Sequence, residues 1–449
     1  MVAILGGGIS GLTLAYYLQK AGVSYDLFEA GSVPGGNLRT VQVDGYLLET
    51  GPNSLQLSSE LLDLFTDLGL ADEIEDTAAV SANRYVLRAG RYQKLPGSPP
   101  ALLANRFFSL KAKLNILREL SRTPLPANPD ETLAAFFRRR FGAEIVDHAL
   151  NPFISGIYAG DPEQLLLHKT FPKLAELEHT YGSVVRGLAK SGGAGGRRRI
   201  VSLRKGIQQL PATLAAQLTN YQGGQTVTAL TRSSDGLYHV QLASGPAPHA
   251  YEAVVLALPT YAAAPLLERL FPEAASALAD VYYPAMAAIY TTYYRADVAH
   301  PLDGFGALHP KVEQPYAAGS IWTSSIFPNR CPTDQVLFTT FVGGSQYQEQ
   351  AQQSAEQQQQ AVHAELVRYY GIKAAAPIWQ TRYYWERAIP QFDNRIVAAH
   401  AAADALTADH IYTTANWRAG VGVPDCVRHA RQLAEKITRS VPHLLSLTQ

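Results

Sequence analysis

Gly6, Gly8 and Gly11 stand at GxGxxG spacing directly after the apolar run VAIL at 2–5. The first glycine permits a tight turn, the second lets a pyrophosphate approach the backbone, and the third lets helix and strand pack closely. The helix that follows offers free N–H groups and the positive end of its dipole to phosphates. Glu29 closes the next apolar run, near the spacing of about 20 residues at which an acid accepts hydrogen bonds from ribose hydroxyls. Its charge would repel a 2′-phosphate, which argues against a 2′-phosphorylated dinucleotide. A lone GxGxxG is a weak signal; the strand before it, the helix after it and the acid beyond give it weight. Other chemistries lack their residues. The 12 histidines are scattered, Cys331 and Cys426 form no metal spacing, and no nucleophile–base set or paired carboxylate stands out.

A second glycine pair follows in PGGNLRT (34–40), and then comes GYLLETGPNS (45–54). A domain that binds a nicotinamide dinucleotide alone has no evident need of it. Flavoproteins do, because the chain there runs close to the diphosphate and the isoalloxazine, where Arg39 offsets phosphate charge. The combination resembles the flavoprotein superfamily that includes amine oxidases and phytoene desaturases. NPFISGIYAGDPEQLLLHKTFPKL (151–174) is similar to the signature segment of the protoporphyrinogen oxidase family. NRYVLRAG (83–90), SLRKGIQQLP (202–211), GFGAL (304–308), GSIWTSSIFPNR (319–330), TTFVGG (339–344), WERAIPQF (385–392) and GVGVPDC (420–426) match in family order along essentially the whole chain.

The resemblance implies non-covalent FAD held by separated segments. These are Gly6, Gly7, Gly8, Ile9, Ser10 and Gly11; then Glu29, Ala30, Gly35, Gly36, Arg39, Gly51, Pro52 and Asn53; then Gly420, Val421, Gly422 and Val423. Val227 matches a strand residue that packs by the adenine. The GVGV segment opens the last helix, whose N–H groups suit a flavin pyrimidine that becomes anionic on reduction. The implied substrate is a porphyrinogen, a large apolar macrocycle with propionates. Arg84 matches the arginine that pairs with a propionate, a task suited to a permanently charged fork. Leu308, Ile321 and Phe341 match residues that sandwich the macrocycle, and Gly156 lets the backbone of NPFISGIYAGDP approach it as a wall. The implied chemistry is successive hydride transfers from the bridging carbons to flavin, with oxygen or another acceptor reoxidising it. No metal is implied.

The elements that must position these residues are legible in outline. LTLAYYLQKAG reads as a helix ending at Gly22, and SYDLFEA (24–30) as a second buried strand, completing a βαβ unit. Residues 60–72 and 100–148 have helical patterning. Within the latter, LLANRFFSLKAKLNILREL carries Arg106, Lys111, Lys113 and Arg118, and reads as a membrane-touching helix or as a domain helix with a solvated basic face. SGGAGGRRR (191–199) reads as a linker. SLRKGIQQLPATLAAQL is a turn leading into a helix; TVTALTR, YHVQLAS and AVVLALP are strands. Residues 280–345, rich in Tyr, Thr and Phe, suggest a large sheet, 349–370 a Gln-rich surface helix, ADHIYTTANW a late strand and VGVPDCVRHARQLAEKI a final helix with an apolar stripe.

The 449 residues leave room for two or three domains. The fold class is α/β: a discontinuous Rossmann-like FAD-binding domain (1–80, 198–262 and 395–449), a mixed-sheet substrate domain (81–95 and 263–394) and a helical domain (96–197). With 47% hydrophobic and 17% charged residues the chain is an ordinary globular one, and its net charge of zero argues against nucleic-acid binding. The start MVAILGGGISGL does not read as a secretory signal, and no apolar run is long enough to span a bilayer. The expectation is a cytoplasmic protein, with a peripheral contact to the inner face of the cell membrane through 100–118 and a homodimer both left open. Three rivals stand beside protoporphyrinogen IX oxidation. They are a coproporphyrinogen III oxidase, which would use further cations such as Arg88, Arg91, Lys94 and Lys311; a flavin amine oxidase; and a non-catalytic escort-type protein of the same fold. The intact glycines and Glu29 speak against the last.

Overall fold

Val2–Leu5 and Tyr25–Glu29 pair in parallel, Val2 opposite Tyr25 and Leu5 opposite Phe28. Their mostly apolar residues are buried from both faces. The Ile9–Lys20 helix packs on Val2 and Ile4. Strands Val227–Arg232, Tyr238–Leu242 and Gly245–Tyr251 lie on the other side, where the Tyr251 ring meets Phe28 and its Oη donates to the buried Asp26. In this computed structural model, which describes residues 1–97, 101, 104–126, 128–190 and 199–440, Ala253–Leu256 lies beside Val2–Leu5, Ile411–Thr413 beyond it, and Tyr221–Gly223 at the opposite edge. Strands from three distant stretches thus make one five-stranded sheet. The last helix, Val423–Ser440, lays Val427, Ala430, Ala434 and Ile437 against this core together with Leu12 and Leu18 of the Ile9–Lys20 helix.

The aromatic region builds a seven-stranded sheet. Its order is Trp379–Trp385, Met286–Tyr294, Gln335–Gly343, Gly319–Trp322, Gly306–Leu308, Tyr85–Arg88 and Arg91–Lys94. Pairing is antiparallel except between Gly306–Leu308 and Tyr85–Arg88. The register lines up Val86, Leu308, Gly319, Phe341, Ala288 and Tyr383 on one rung. Two residues along, Ile321, Thr339 and Tyr290 share the same face, since side chains alternate with period two. The other face carries Trp322, Phe338 and Tyr293, packed against Val362, Leu366 and Tyr370 of the Ala355–Tyr370 helix. One face is therefore covered, while Leu308, Ile321 and Phe341 on the other stay half-exposed.

Helices Leu110–Glu119, Leu133–Phe141, Asn151–Tyr158, Pro172–Tyr181 and Val184–Lys190 form a third layer. A fully buried ion pair pins it: Glu119 accepts from Arg140 Nε at 3.0 Å and from Val184 N at 2.9 Å. Such a pair is tolerable only because its remaining valences are also filled, here by Ser183 Oγ and the Gly182 carbonyl. Among the described residues no helix is long and apolar enough to cross a membrane.

Several expectations need correction. The helical stretch expected at 100–148 is interrupted. One helix starts at Leu110, capped by Ser109 accepting from Ala112 N at 3.1 Å, and the next begins only at Leu133. Pro124, Pro126 and Pro129 lie between them, where missing N–H groups forbid helix. NPFISGIYAGDP, which the sequence assigned to no element, forms the helix Asn151–Tyr158 in its first eight residues, with Pro152 tolerated in the first turn. The Gln-rich stretch breaks before Ser354, which forms a capping box with Gln357, and Gln358 is buried rather than solvated. Gly245–Tyr251 adds an unforeseen strand. The linker residues 191–198 lie outside the described residues; Arg199, after them, pairs with Asp76 at 2.6 Å.

Candidate flavin and substrate site

The turn after Val2–Leu5 is fixed from both sides. Gly6 N donates to Phe28 O at 2.8 Å, with φ +110°, a conformation that needs glycine. A Cβ on Gly11 would stand 2.0 Å from Gly6 O, so the helix meets the strand end in direct contact. A Cβ on Gly8, in contrast, would meet nothing within 4 Å: space is open at the N-terminus of Ile9–Lys20. Gly35 N donates to Gly7 O at 2.8 Å, and Gly36 lies across the same opening, where a Cβ would be 3.4 Å from Gly8 Cα. The two glycine segments therefore line one cradle. Ile9 and Ser10 are buried beneath it.

Glu29 holds this cradle. Its carboxylate accepts from Gly7 N at 2.6 Å and from Gly31 N at 2.7 Å, and Ala30 between them is exposed. Gly224 N and Gln225 N donate to the carbonyls of Gly31 and Glu29, at 3.0 and 2.8 Å, which brings the start of Val227–Arg232 to the acid. Arg39 Nε donates to Gly36 O at 3.2 Å, and Thr50 N donates to Arg39 O at 2.9 Å. A Cβ on Gly51 would lie 1.8 Å from Asn37 O. Pro52 is half-exposed, and the buried Asn53 has an Oδ1 without a partner, an acceptor left for a bound group. At the far end, buried Trp417 donates from Nε1 to Leu258 O at 3.0 Å, and the Leu258 side chain abuts Gly6. Gly420, at φ +114°, Val421 and Gly422 then lead half-exposed into Val423, the first residue of the last helix. Open space at a helix N-terminus, an orphaned amide oxygen and a glycine-lined approach fit an elongated dinucleotide carrying phosphates.

The substrate candidates gather on one surface. Leu308, Ile321 and Phe341 share one sheet face and are half-exposed there, and a Cβ on Gly156 would lie 2.7 Å from Leu308 Cδ2. The Asn151–Tyr158 helix thus closes onto that face. Tyr290, on the same face, donates from Oη to Glu49 O at 2.6 Å and ties the sheet to the strand leading to Gly51. Arg84 immediately precedes strand Tyr85–Arg88. Its guanidinium donates to Ser81 O and lies 4.1 Å over the Phe305 ring but, unlike Arg88, pairs with no carboxylate among the described residues; burial lowers its pKa. Arg88 is spoken for by Glu144 at 2.8 Å and by Phe107 O. Sequence reasoning missed Phe153 and Ile157, exposed on the helix that carries Gly156, and Tyr383 and Trp385, packed near Phe341. Once the segment is recognised as helix, Phe153 falls on one face with Gly156 and Ile157, three and four residues on, which would have found the first two.

The profile described as "Flavin containing amine oxidoreductase" matches residues 9–438. The chain belongs to this family. Its members' flavin accounts for the double-glycine cradle, and the protein is a flavin-dependent oxidoreductase. Among curated relatives, the chloroplastic protoporphyrinogen oxidase of Nicotiana tabacum is 31% identical, with 97% of this chain and 85% of that protein covered. The coproporphyrinogen III oxidase of Bacillus subtilis (strain 168) is 28% identical, with 95% of each covered. Among solved structures, a protein from Exiguobacterium sp. 255-15 provisionally assigned as a protoporphyrinogen oxidase superposes with a TM-score of 0.81 at 24% identity, covering 98% of both chains.

Proposed function

We propose that this flavoprotein uses non-covalent FAD to oxidise protoporphyrinogen IX to protoporphyrin IX, with oxygen as acceptor. The observation that carries the reading is the half-exposed apolar patch that Leu308, Ile321 and Phe341 form on one sheet face, with Gly156 set against Leu308. Apolar side chains presented together on one flat sheet face suit a flat macrocycle. When bound, FAD would supply hydride acceptance; Gly7, Gly8, Gly35 and Gly36 would receive its diphosphate, and Glu29 its ribose. The chain's own part is to hold the macrocycle against the flavin, exclude water and neutralise a propionate with Arg84. The division into FAD-binding, substrate and helical domains follows from the same reading.

The curated coproporphyrinogen III oxidase relative keeps the tetrapropionate substrate as the second reading. That substrate wants more cations, and the engagement of Arg88 with Glu144 favours protoporphyrinogen. The deciding experiment mixes purified protein with protoporphyrinogen IX without oxygen and follows the oxidised-flavin band. Rapid bleaching with rising porphyrin fluorescence is expected. A yellow protein that bleaches only with coproporphyrinogen III would move the assignment to the second reading, and a colourless protein that cannot take up FAD would defeat both. The peripheral membrane contact is also part of this proposal, through helix Leu110–Glu119.

A further inference from the structure

The covered face of the seven-stranded sheet carries a run of oxidisable rings that the oxidase reading does not use. Tyr85, Trp322, Tyr370, Tyr92 and Tyr369 follow one another with ring centroids 5.3, 5.9, 4.8 and 5.7 Å apart. Trp322 and Tyr370 are fully buried, and Trp322 Nε1 donates to Tyr370 Oη at 3.0 Å. Trp322 follows Ile321 of the pocket face directly, so the run begins one strand's thickness from the proposed substrate. Tyr369, at its other end, is half-exposed.

His309 gives the run a proton acceptor. Its Nδ1 lies 2.8 Å from Ala317 O. A carbonyl can only accept, so the proton sits on Nδ1, and in the neutral imidazole Nε2 is the acceptor. That Nε2 is 2.8 Å from Tyr92 Oη and, in this tautomer, accepts the phenol proton, for which Tyr370 is the other hydrogen-bond partner. Glu365 stands 3.4 Å from Nδ1, held by Tyr316 N at 2.6 Å and Ala317 N at 3.2 Å. A second proton on His309, which is 1% exposed, would find this counter-charge beside it. Tyr92 thus has a base aligned on its phenol and a carboxylate behind the base.

We propose that Tyr92 is a redox-active tyrosine that carries oxidising equivalents from the pocket side, through Trp322 and Tyr370, to the surface at Tyr369. A one-electron oxidant of the reactive-oxygen class removes an electron from Trp322. Tyr92 refills that hole through Tyr370, its phenol proton crossing to His309 Nε2 and leaving a neutral tyrosyl radical and an imidazolium beside Glu365. A reductant of the thiol or ascorbate class returns the electron at Tyr369, and the proton goes back to Tyr92. The proposal rests on the oxidase reading only for the origin of the oxidant.

The test oxidises the flavin-loaded protein with hexachloroiridate(IV), freezes it and records electron paramagnetic resonance. Wild type is expected to show a tyrosyl radical with nitrogen hyperfine coupling from the adjacent imidazolium. Tyr92→Phe keeps the ring stacking. It should lose this signal and inactivate after several-fold fewer turnovers, with flavin absorption unchanged. No radical in wild type, or the same radical with the same yield in Tyr92→Phe, would overturn the proposal. Should Tyr92→Phe fail to hold flavin, the wild-type spectrum decides: nitrogen coupling supports the relay and its absence defeats it. The spectrum needs no porphyrinogen, so failure of the substrate assignment shows separately, as absent bleaching.

Discussion

Gly51 and Glu49 sit two residues apart and illustrate how differently single residues can be read. As a letter, Gly51 only says that flexibility is allowed. In space, a Cβ there would stand 1.8 Å from a backbone carbonyl, Asn37 O, which cannot swing aside as a side chain can. Gly51→Ala should therefore cost about 1–3 kcal/mol through overpacking and displace the segment that carries Asn53. The expected result is a lower melting temperature and a lower flavin-to-protein absorbance ratio on purification. Glu49 gave no sequence signal beyond its place in a motif. It is buried, accepts from Ile207 N at 3.0 Å and Thr40 Oγ1 at 2.7 Å, and lies 3.9 Å from Arg330. Burial pushes its pKa up to about 7, against the opposing pull of these partners. Between about pH 4.5 and 7 the unfolded chain then ionises Glu49 while the folded one keeps the proton, so stability falls as pH rises, by about 3 kcal/mol across the window. His400 and His429, lowered to about 4 chiefly by burial, act oppositely and lose stability as pH falls. Comparing wild type with Glu49→Gln cancels the histidines. The variant's relative stability should rise from pH 5 to pH 8 in chemical denaturation; a flat difference would refute the raised pKa.

At the scale of elements, composition and alternation were enough to reveal the βαβ start, the strands at Ala253–Leu256 and Ile411–Thr413 and a sheet within 280–345, because those patterns are set by burial on one face or two. The strands Tyr221–Gly223, Tyr85–Arg88, Arg91–Lys94 and Trp379–Trp385, at or near the sheet edges, were not read. Register was not legible, since no single strand says which residue it will face. The Asn151–Tyr158 helix escaped because Pro152 and Gly156 both lower helix propensity, and packing overrides that cost. What the helix gains is the contact of Gly156 with Leu308, which joins the helical layer to the sheet. Gly156→Ala would place its methyl 2.7 Å from Leu308 Cδ2, the movable end of a side chain. The leucine should yield into the pocket, raising KM for porphyrinogen while flavin content stays normal. Adding Leu308→Ala should restore part of the loss. A double-mutant cycle on kcat/KM is expected to show coupling of roughly 0.5–3 kcal/mol, and additive effects would mean that the two residues do not share the pocket wall.

For the whole molecule, the net charge of zero is silent about where apolar surface collects. The sequence allowed helix Leu110–Glu119 either to touch a membrane or to bury its apolar side and solvate its basic one. The structure turns it the unusual way round. Leu110, Leu114 and Leu117 are 78, 52 and 50% exposed, at i, i+4 and i+7 of one stripe, while Ala112 and the ion-paired Glu119 face inward. A stripe of leucines toward water, flanked by Lys111 and Arg118, is costly for a surface that meets only solvent and natural for one that meets lipid. The orientation follows from the buried Glu119–Arg140 pair, a long-range contact that no periodicity in the helix itself could announce. Leu114→Glu with Leu117→Glu leaves that pair intact. Each leucine is worth about 1.5–3 kcal/mol on burial, so the double variant should bind anionic vesicles about 100-fold more weakly or worse. Its turnover of detergent-solubilised substrate should match wild type. Cosedimentation with vesicles measures the first, and undiminished binding by the double variant would mean that these leucines do not meet lipid.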